Sequence, residues 1–118
     1  VNGMSRNFLR LVAAFAVLWL SAYAAFAADV EVKIDNFTFN PQQIKVKAGT
    51  TVTWINGDDI PHTVVAKNLA FKSKVLDTDN KFSFTFTTPG SFTYFCSLHP
   101  HMTGTIVVEA ATGDNAPK

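Results

Sequence analysis

The stretch Lys81-Phe82-Ser83-Phe84-Thr85-Phe86-Thr87-Thr88-Pro89-Gly90-Ser91-Phe92-Thr93-Tyr94-Phe95-Cys96 decides the fold. Phe82, Phe84 and Phe86 alternate with Ser83 and Thr85. Beyond Pro89-Gly90, the side chains of Phe92, Tyr94 and Cys96 fall on one face and those of Thr93 and Phe95 on the other. Period-two alternation of aromatic and β-branched residues describes half-buried strands, and a Pro-Gly pair between two such runs marks a turn.

The same pattern extends outward on both sides. Val30, Val32 and Ile34 alternate with charged residues, Ile44 and Val46 sit between Gln43, Lys45 and Lys47, Val52 and Trp54 follow, and Val64 and its neighbours form another short run. Ile106 to Val108 makes a last strand. Asn40-Pro41, Ala48-Gly49, Asn56-Gly57-Asp58-Asp59 and Asp77 to Asn80 supply further breaks. About seven strands without a helical period predict an all-β protein built as a β-sandwich. Lys67 to Lys74 reads either as a loop with a short helical turn or as an irregular edge strand. Thr112 to Lys118 is small and polar, and is expected to be a flexible tail.

The first part of the chain has a different character. Arg6 and Arg10 precede an apolar run from Leu11 to Ala27, interrupted by Ser21 and Tyr23 and ending in Ala25-Phe26-Ala27. A basic start, an apolar middle and an Ala-x-Ala end predict a helical secretory signal peptide over residues 1–27, with Met4 as the expected start and cleavage after Ala27. If left uncleaved it would act as a membrane anchor, although the run falls short of the ~20 residues of a usual span. The expected organisation is a signal at 1–27, one domain at 28–111 and a tail at 112–118. After cleavage the export compartment is a bacterial periplasm, with no stable membrane insertion.

Charge and cysteine content narrow the function. Of ten Lys and Arg, two lie in the signal, which leaves eight against nine Asp and Glu, a mature charge near minus one. That balance implies neither nucleic acid nor an acidic membrane surface as partner. Lys67, Lys72, Lys74 and Lys81 read as solvated lysines. Cys96 is the single cysteine, so no internal disulfide forms, and a lone thiol in an oxidising compartment calls for something that binds it.

The chemistry is concentrated in Cys96-Ser97-Leu98-His99-Pro100-His101-Met102. Cys, His and Met follow one another at three-residue intervals directly after a strand, a spacing that curls a tight loop around one point. Gly104 is expected to release the loop into the last strand. A second imidazole is available from His62, in Ile60-Pro61-His62-Thr63-Val64, where a turn enters a strand. Two imidazoles, a thiolate and a weak thioether form the donor set of a blue-copper electron-transfer site. Zinc, the main rival, has little use for Met. The predicted metal ligands are therefore His62, Cys96, His99 and Met102, holding one copper ion that cycles between Cu(I) and Cu(II). His101, between two inward-pointing neighbours, is expected to face solvent.

Asn36-Phe37-Thr38-Phe39-Asn40-Pro41, Val46-Lys47-Ala48-Gly49, Val52-Thr53-Trp54, Pro61-His62, Pro89-Gly90 and Tyr94-Phe95-Cys96 with the loop to Met102 resemble the cupredoxins, over about Val30 to Glu109. The short gap from His99 to Met102 is similar to the amicyanin branch, since plastocyanin-like loops are longer. The resemblance implies a Greek-key sandwich of seven to eight strands with copper near one end. It also implies strong ligation by His62, Cys96 and His99, axial ligation by Met102, and an apolar patch around His99 where larger redox proteins dock on a monomer. Ile60, Pro61, Leu98 and Pro100 are the patch candidates. Many relatives carry Asn after the first histidine to brace the cysteine loop. Here the position is Thr63, whose hydroxyl is expected to make one such bond but not the pair.

The leading functional reading is a one-electron carrier and not an enzyme, since the ligand set leaves no open coordination site. Copper storage or delivery would use the same residues. A metal-free immunoglobulin-like module leaves the Cys, His and Met cluster unexplained, and a Cys–His enzyme lacks a separate base and a legible oxyanion site.

Overall fold

A strand with one apolar face is stable only when a second layer covers that face. In the computed structural model, which describes residues 28–111, eight strands do this in two four-stranded sheets. They are β1 (Asp29–Asp35), β2 (Thr38–Asn40), β3 (Gln43–Lys47), β4 (Thr50–Asn56), β5 (Val65–Ala66), β6 (Lys81–Phe86), β7 (Gly90–Cys96) and β8 (His99–Glu109). One sheet runs β2-β1-β4-β6 and the other β3-β8-β7-β5. The chain changes sheet between β2 and β3, and at each connection from there to β7. The pairs β1–β4 and β3–β8 are parallel, and the others antiparallel. This is the expected all-β Greek-key sandwich. The predicted signal and tail lie outside the described residues.

Alternation carries through to burial. In β4, Thr50, Val52, Trp54 and Asn56 point inward and the residues between them are half-buried. Trp54, fully buried, anchors an aromatic core with Phe71, Phe82, Phe86 and Tyr94, at ring-centroid separations of 5.3–6.4 Å. Phe71 comes from the segment that the sequence leaves ambiguous. Residues 67–74 contain no helical turn, and Val65 pairs with Lys72 in an isolated antiparallel bridge, so the irregular-edge reading is the right one. The four lysines of this region are exposed.

Gly104 has a different role from the one expected. β8 already begins at His99 and runs through Gly104, which pairs with Tyr94 across the ladder. A Cβ at residue 104 would collide with Cζ and Oη of the Tyr94 ring. Glycine is needed so that the tyrosine can lie across the strand. Gly104→Ala is expected to lower stability by about 1–3 kcal/mol, the usual cost of overpacking a rigid core, measured by urea denaturation.

Tyr94 is itself fully buried, and its hydroxyl and the Trp54 indole N–H have no hydrogen-bond partner among the described residues. Burial pushes the phenol up to about 12; the Trp54 indole pulls weakly the other way, although the pair falls short of a hydrogen bond. A raised folded value means that the neutral phenol contributes fully below the ordinary value of 10.0, and that this contribution is lost as pH rises toward the folded value. The parent is expected to lose stability between about pH 10 and 12, and Tyr94→Phe to flatten that decline, read from denaturation midpoints across that range.

Candidate metal centre

The β7–β8 hairpin holds two of the predicted ligands side by side. Ser97 and Leu98 form a two-residue turn, and Cys96 pairs directly with His99. Phe95 pairs with Thr103, so residues 100–102 are extra on β8 and form a bulge. A bulge re-aims side chains. Here His101 stays exposed, as expected, while Met102 turns inward and is 5% exposed.

His62 arrives from the other sheet through a loop organised by Asn56. This buried amide donates from Nδ2 to the carbonyls of Ile60 and Leu76, both at 2.9 Å, and its Oδ1 accepts the Asp58 N–H at 2.9 Å. His62 then exchanges two backbone hydrogen bonds with Leu76, at 3.1 and 2.8 Å. The result is a histidine with no exposed surface.

Two side chains complete its setting. The His62 ring meets Asp58 Oδ2 through Nε2 at 2.8 Å. With Nε2–H donating to the carboxylate, Nδ1 is left free on the opposite side of the ring, the arrangement that carboxylates impose on metal-binding histidines. Burial opposes the Asp58 charge, but the amides of Phe37 and Asn36 and the His62 ring outweigh it and hold the carboxyl below its ordinary range. Thr63 then joins the His62 segment to the cysteine loop. Its backbone N–H points at Cys96 Sγ at 3.3 Å, and its hydroxyl accepts the Ser97 N–H at 2.7 Å. The same hydroxyl pairs with Ser97 Oγ at 2.7 Å and lies 3.8 Å from the sulfur. Thr63 thus braces the loop backbone with one bond, as expected, and Ser97 adds a second tie that the sequence does not announce.

The structure brings His62, Cys96 and His99 together with their donor atoms within 4.8 Å of one another. Cys96 Sγ lies 3.7 Å from His62 Nδ1 and 3.6 Å from His99 Nδ1. First-row metal bonds of about 2.3 Å to thiolate and about 2.0 Å to imidazole, meeting at a trigonal angle, put sulfur and nitrogen about 3.7 Å apart. The donor set is therefore already spaced for a shared ion. The Thr63 N–H aimed at the sulfur suits a negatively charged thiolate ligand.

A family model described as a cupredoxin-like domain matches residues 9–108. The chain belongs to the cupredoxin family. This cupredoxin is 37% identical to amicyanin of Paracoccus versutus over 94 residues, covering 75% of the chain and 71% of the relative. It is 33% identical to plastocyanin of Scenedesmus fuscus, covering 69% of the chain and 100% of the relative. Among solved structures, a purple cupredoxin from Nitrosopumilus maritimus superposes with a TM-score of 0.65 at 30% identity, over 69% of this chain and 100% of that one.

Two residues at the site were not singled out from the sequence. Asp58 sits four residues before His62 in an irregular loop, where spacing carries no geometric meaning. Phe37 is the second residue of the β1–β2 turn. Its ring lies 5.5 Å from that of His62 and 5.1 Å from that of His99, nearly perpendicular to both. Asn36 and Phe37 have φ of 51° and 58°, the pairing of a type I′ hairpin turn, in which the second position favours Gly. A large apolar residue at such a position is the one available signal.

Asp58→Asn removes a carboxylate that accepts from two turn amides and the His62 ring. The metal-free protein is expected to lose about 1–3 kcal/mol, in the range for hydrogen bonds to a charged group. An unchanged denaturation midpoint would show that these bonds contribute nothing net.

Proposed function

We propose that this cupredoxin is a blue copper electron-transfer protein that carries one electron at a time between larger redox partners, and is not an enzyme. The observation that supports this best is the convergence of one buried thiol and two imidazole nitrogens within 4.8 Å. In this reading His62 Nδ1, Cys96 Sγ and His99 Nδ1 would be the strong ligands of one copper ion, with the buried Met102 as a weaker fourth donor. When bound, copper supplies a one-electron couple between Cu(I) and Cu(II).

The protein's part is to hold the donors still. His62 is fixed by Asp58 and by its two backbone bonds to Leu76, and Cys96 by a fully buried place in β7. Ligands held by a rigid scaffold move little between oxidation states, which keeps the barrier to electron transfer low. His99 is half-buried, with exposed Pro100, Pro61, Leu98 and Ile60 on the same loops. In this proposal electrons pass through the His99 edge, and the apolar surface docks a partner briefly while excluding water. Residues 1–27 direct export to a bacterial periplasm, and the mature chain works as a monomer. A storage or delivery protein would need ligands that open to a partner. The enclosure of His62 argues against that role.

The test is a copper titration of the chain from Ala28 onward. Added Cu(II) is expected to give a strong visible charge-transfer band at one equivalent, and a reversible one-electron wave. Cys96→Ser is expected to stay colourless, and Met102→Leu to keep the band while shifting the reduction potential. A colourless parent protein, or colour that persists without Cys96, contradicts the proposal.

A further inference from the structure

The two imidazoles at the centre are held in unequal ways. His62 is tied at Nε2 by Asp58 and by backbone bonds on its own segment. Among the described residues, the His99 ring has one hydrogen-bond partner, the Cys96 sulfur. Its aromatic neighbours are His62 at 5.0 Å and Phe37 at 5.1 Å, the latter at 88°. Perpendicular aromatic contacts at this distance are attractive and directional.

Phe37 has little reason to be there for the fold's sake. It is 42% exposed and stands outside the cluster that forms the core. Its φ of 58° lies in the left-handed region, where any side chain is unfavourable and Gly is not. The turn is nevertheless strapped down firmly, with the Asn36 N–H on Asp58 Oδ1 at 2.6 Å and the Phe37 N–H on Asp58 Oδ2 at 3.0 Å. That second oxygen is the one His62 Nε2 meets. One carboxylate therefore sets both the His62 ring and the turn that carries the Phe37 ring. Phe37 also lines a surface cleft of about 140 Å³ together with Phe39 and Met102.

We infer that Phe37 is a positioning residue of the centre, held by Asp58 so that its ring orients His99. This rests on the copper-binding reading above. Residues that orient a ligand ring without binding the metal change affinity by about 10–100-fold when lost. Phe37 does for His99 through ring packing what Asp58 does for His62 through a hydrogen bond.

The test compares Phe37→Gly and Phe37→Tyr with the parent, each loaded with copper. Three things are measured: denaturation midpoint of the metal-free protein, visible and EPR spectra, and the rate of copper loss to excess EDTA. Glycine relieves the turn, so the metal-free midpoint is expected to stay level or rise. Copper loss is expected to speed up about tenfold, with altered EPR hyperfine splitting, and tyrosine to restore the parent rate and spectrum. Parent-like copper loss and spectra in the Gly variant would overturn the inference while leaving the copper reading intact. So would a fall in the metal-free midpoint, which would make Phe37 a packing residue, or a failure of tyrosine to restore. A parent protein that takes up no copper overturns both.

Discussion

The whole site depends on the contact between Thr63 and the Cys96–Ser97 corner. Two segments more than thirty residues apart, one entering from the end of β4 and one leaving β7, meet there through a backbone N–H on sulfur and a hydroxyl on the Ser97 amide. His62 lies outside both sheets, and the β5–β7 pairing of Val65 with Phe95 brings its segment alongside β7; the Thr63 junction sets the remaining spacing to Cys96. With it, an imidazole and a thiol stand 3.7 Å apart before any ion is bound. The hydroxyl of Thr63 is shared between Ser97 N and Ser97 Oγ, so the tie includes the first residue of the turn as well as the strand end.

Rigidity spreads outward from this junction in layers. Asn56 uses both its amide hydrogens and its carbonyl within the 56–62 loop and on Leu76, which fixes the approach of His62. Asp58 then ties that loop to the β1–β2 turn. Beneath the site, Trp54, Tyr94 and Phe39 fill the space between the sheets, with Tyr94 lying over Gly104 of the neighbouring strand. A buried indole N–H and phenol without partners are a cost to the fold. Close aromatic packing around Trp54 and Tyr94 is the feature of the core that accompanies it.

Much of this was legible in the sequence, because alternation and burial are local. The phenylalanine run of β6, the inward face of β7 and the strands around Val32, Val46, Val52 and Ile106 all stand where period two puts them. The three-residue spacing of Cys96, His99 and Met102 was readable for the same reason. What escaped reading depends on contacts between distant segments. β5 is two residues long and is held by its pairing with β7 and by the Val65–Lys72 bridge, and residues 67–74 take their shape from that bridge and from burying Phe71. Gly104 looked like the end of a loop because a bulge at 100–102 cannot be told from a loop without its partner strand. Asp58 and Phe37 were invisible as site residues because the distances that matter run across the sandwich end, and not along the chain.

In the proposed function, the thiol and one imidazole of the β7–β8 hairpin and a second imidazole from the β4–β5 connection bind the same ion. Copper-edge X-ray absorption of the metal-loaded protein tests this most directly. The account predicts a single short sulfur neighbour with two imidazole nitrogens, and the sulfur signal should vanish when Cys96 is replaced by Ser. A first shell of nitrogen and oxygen alone in the parent protein would contradict it.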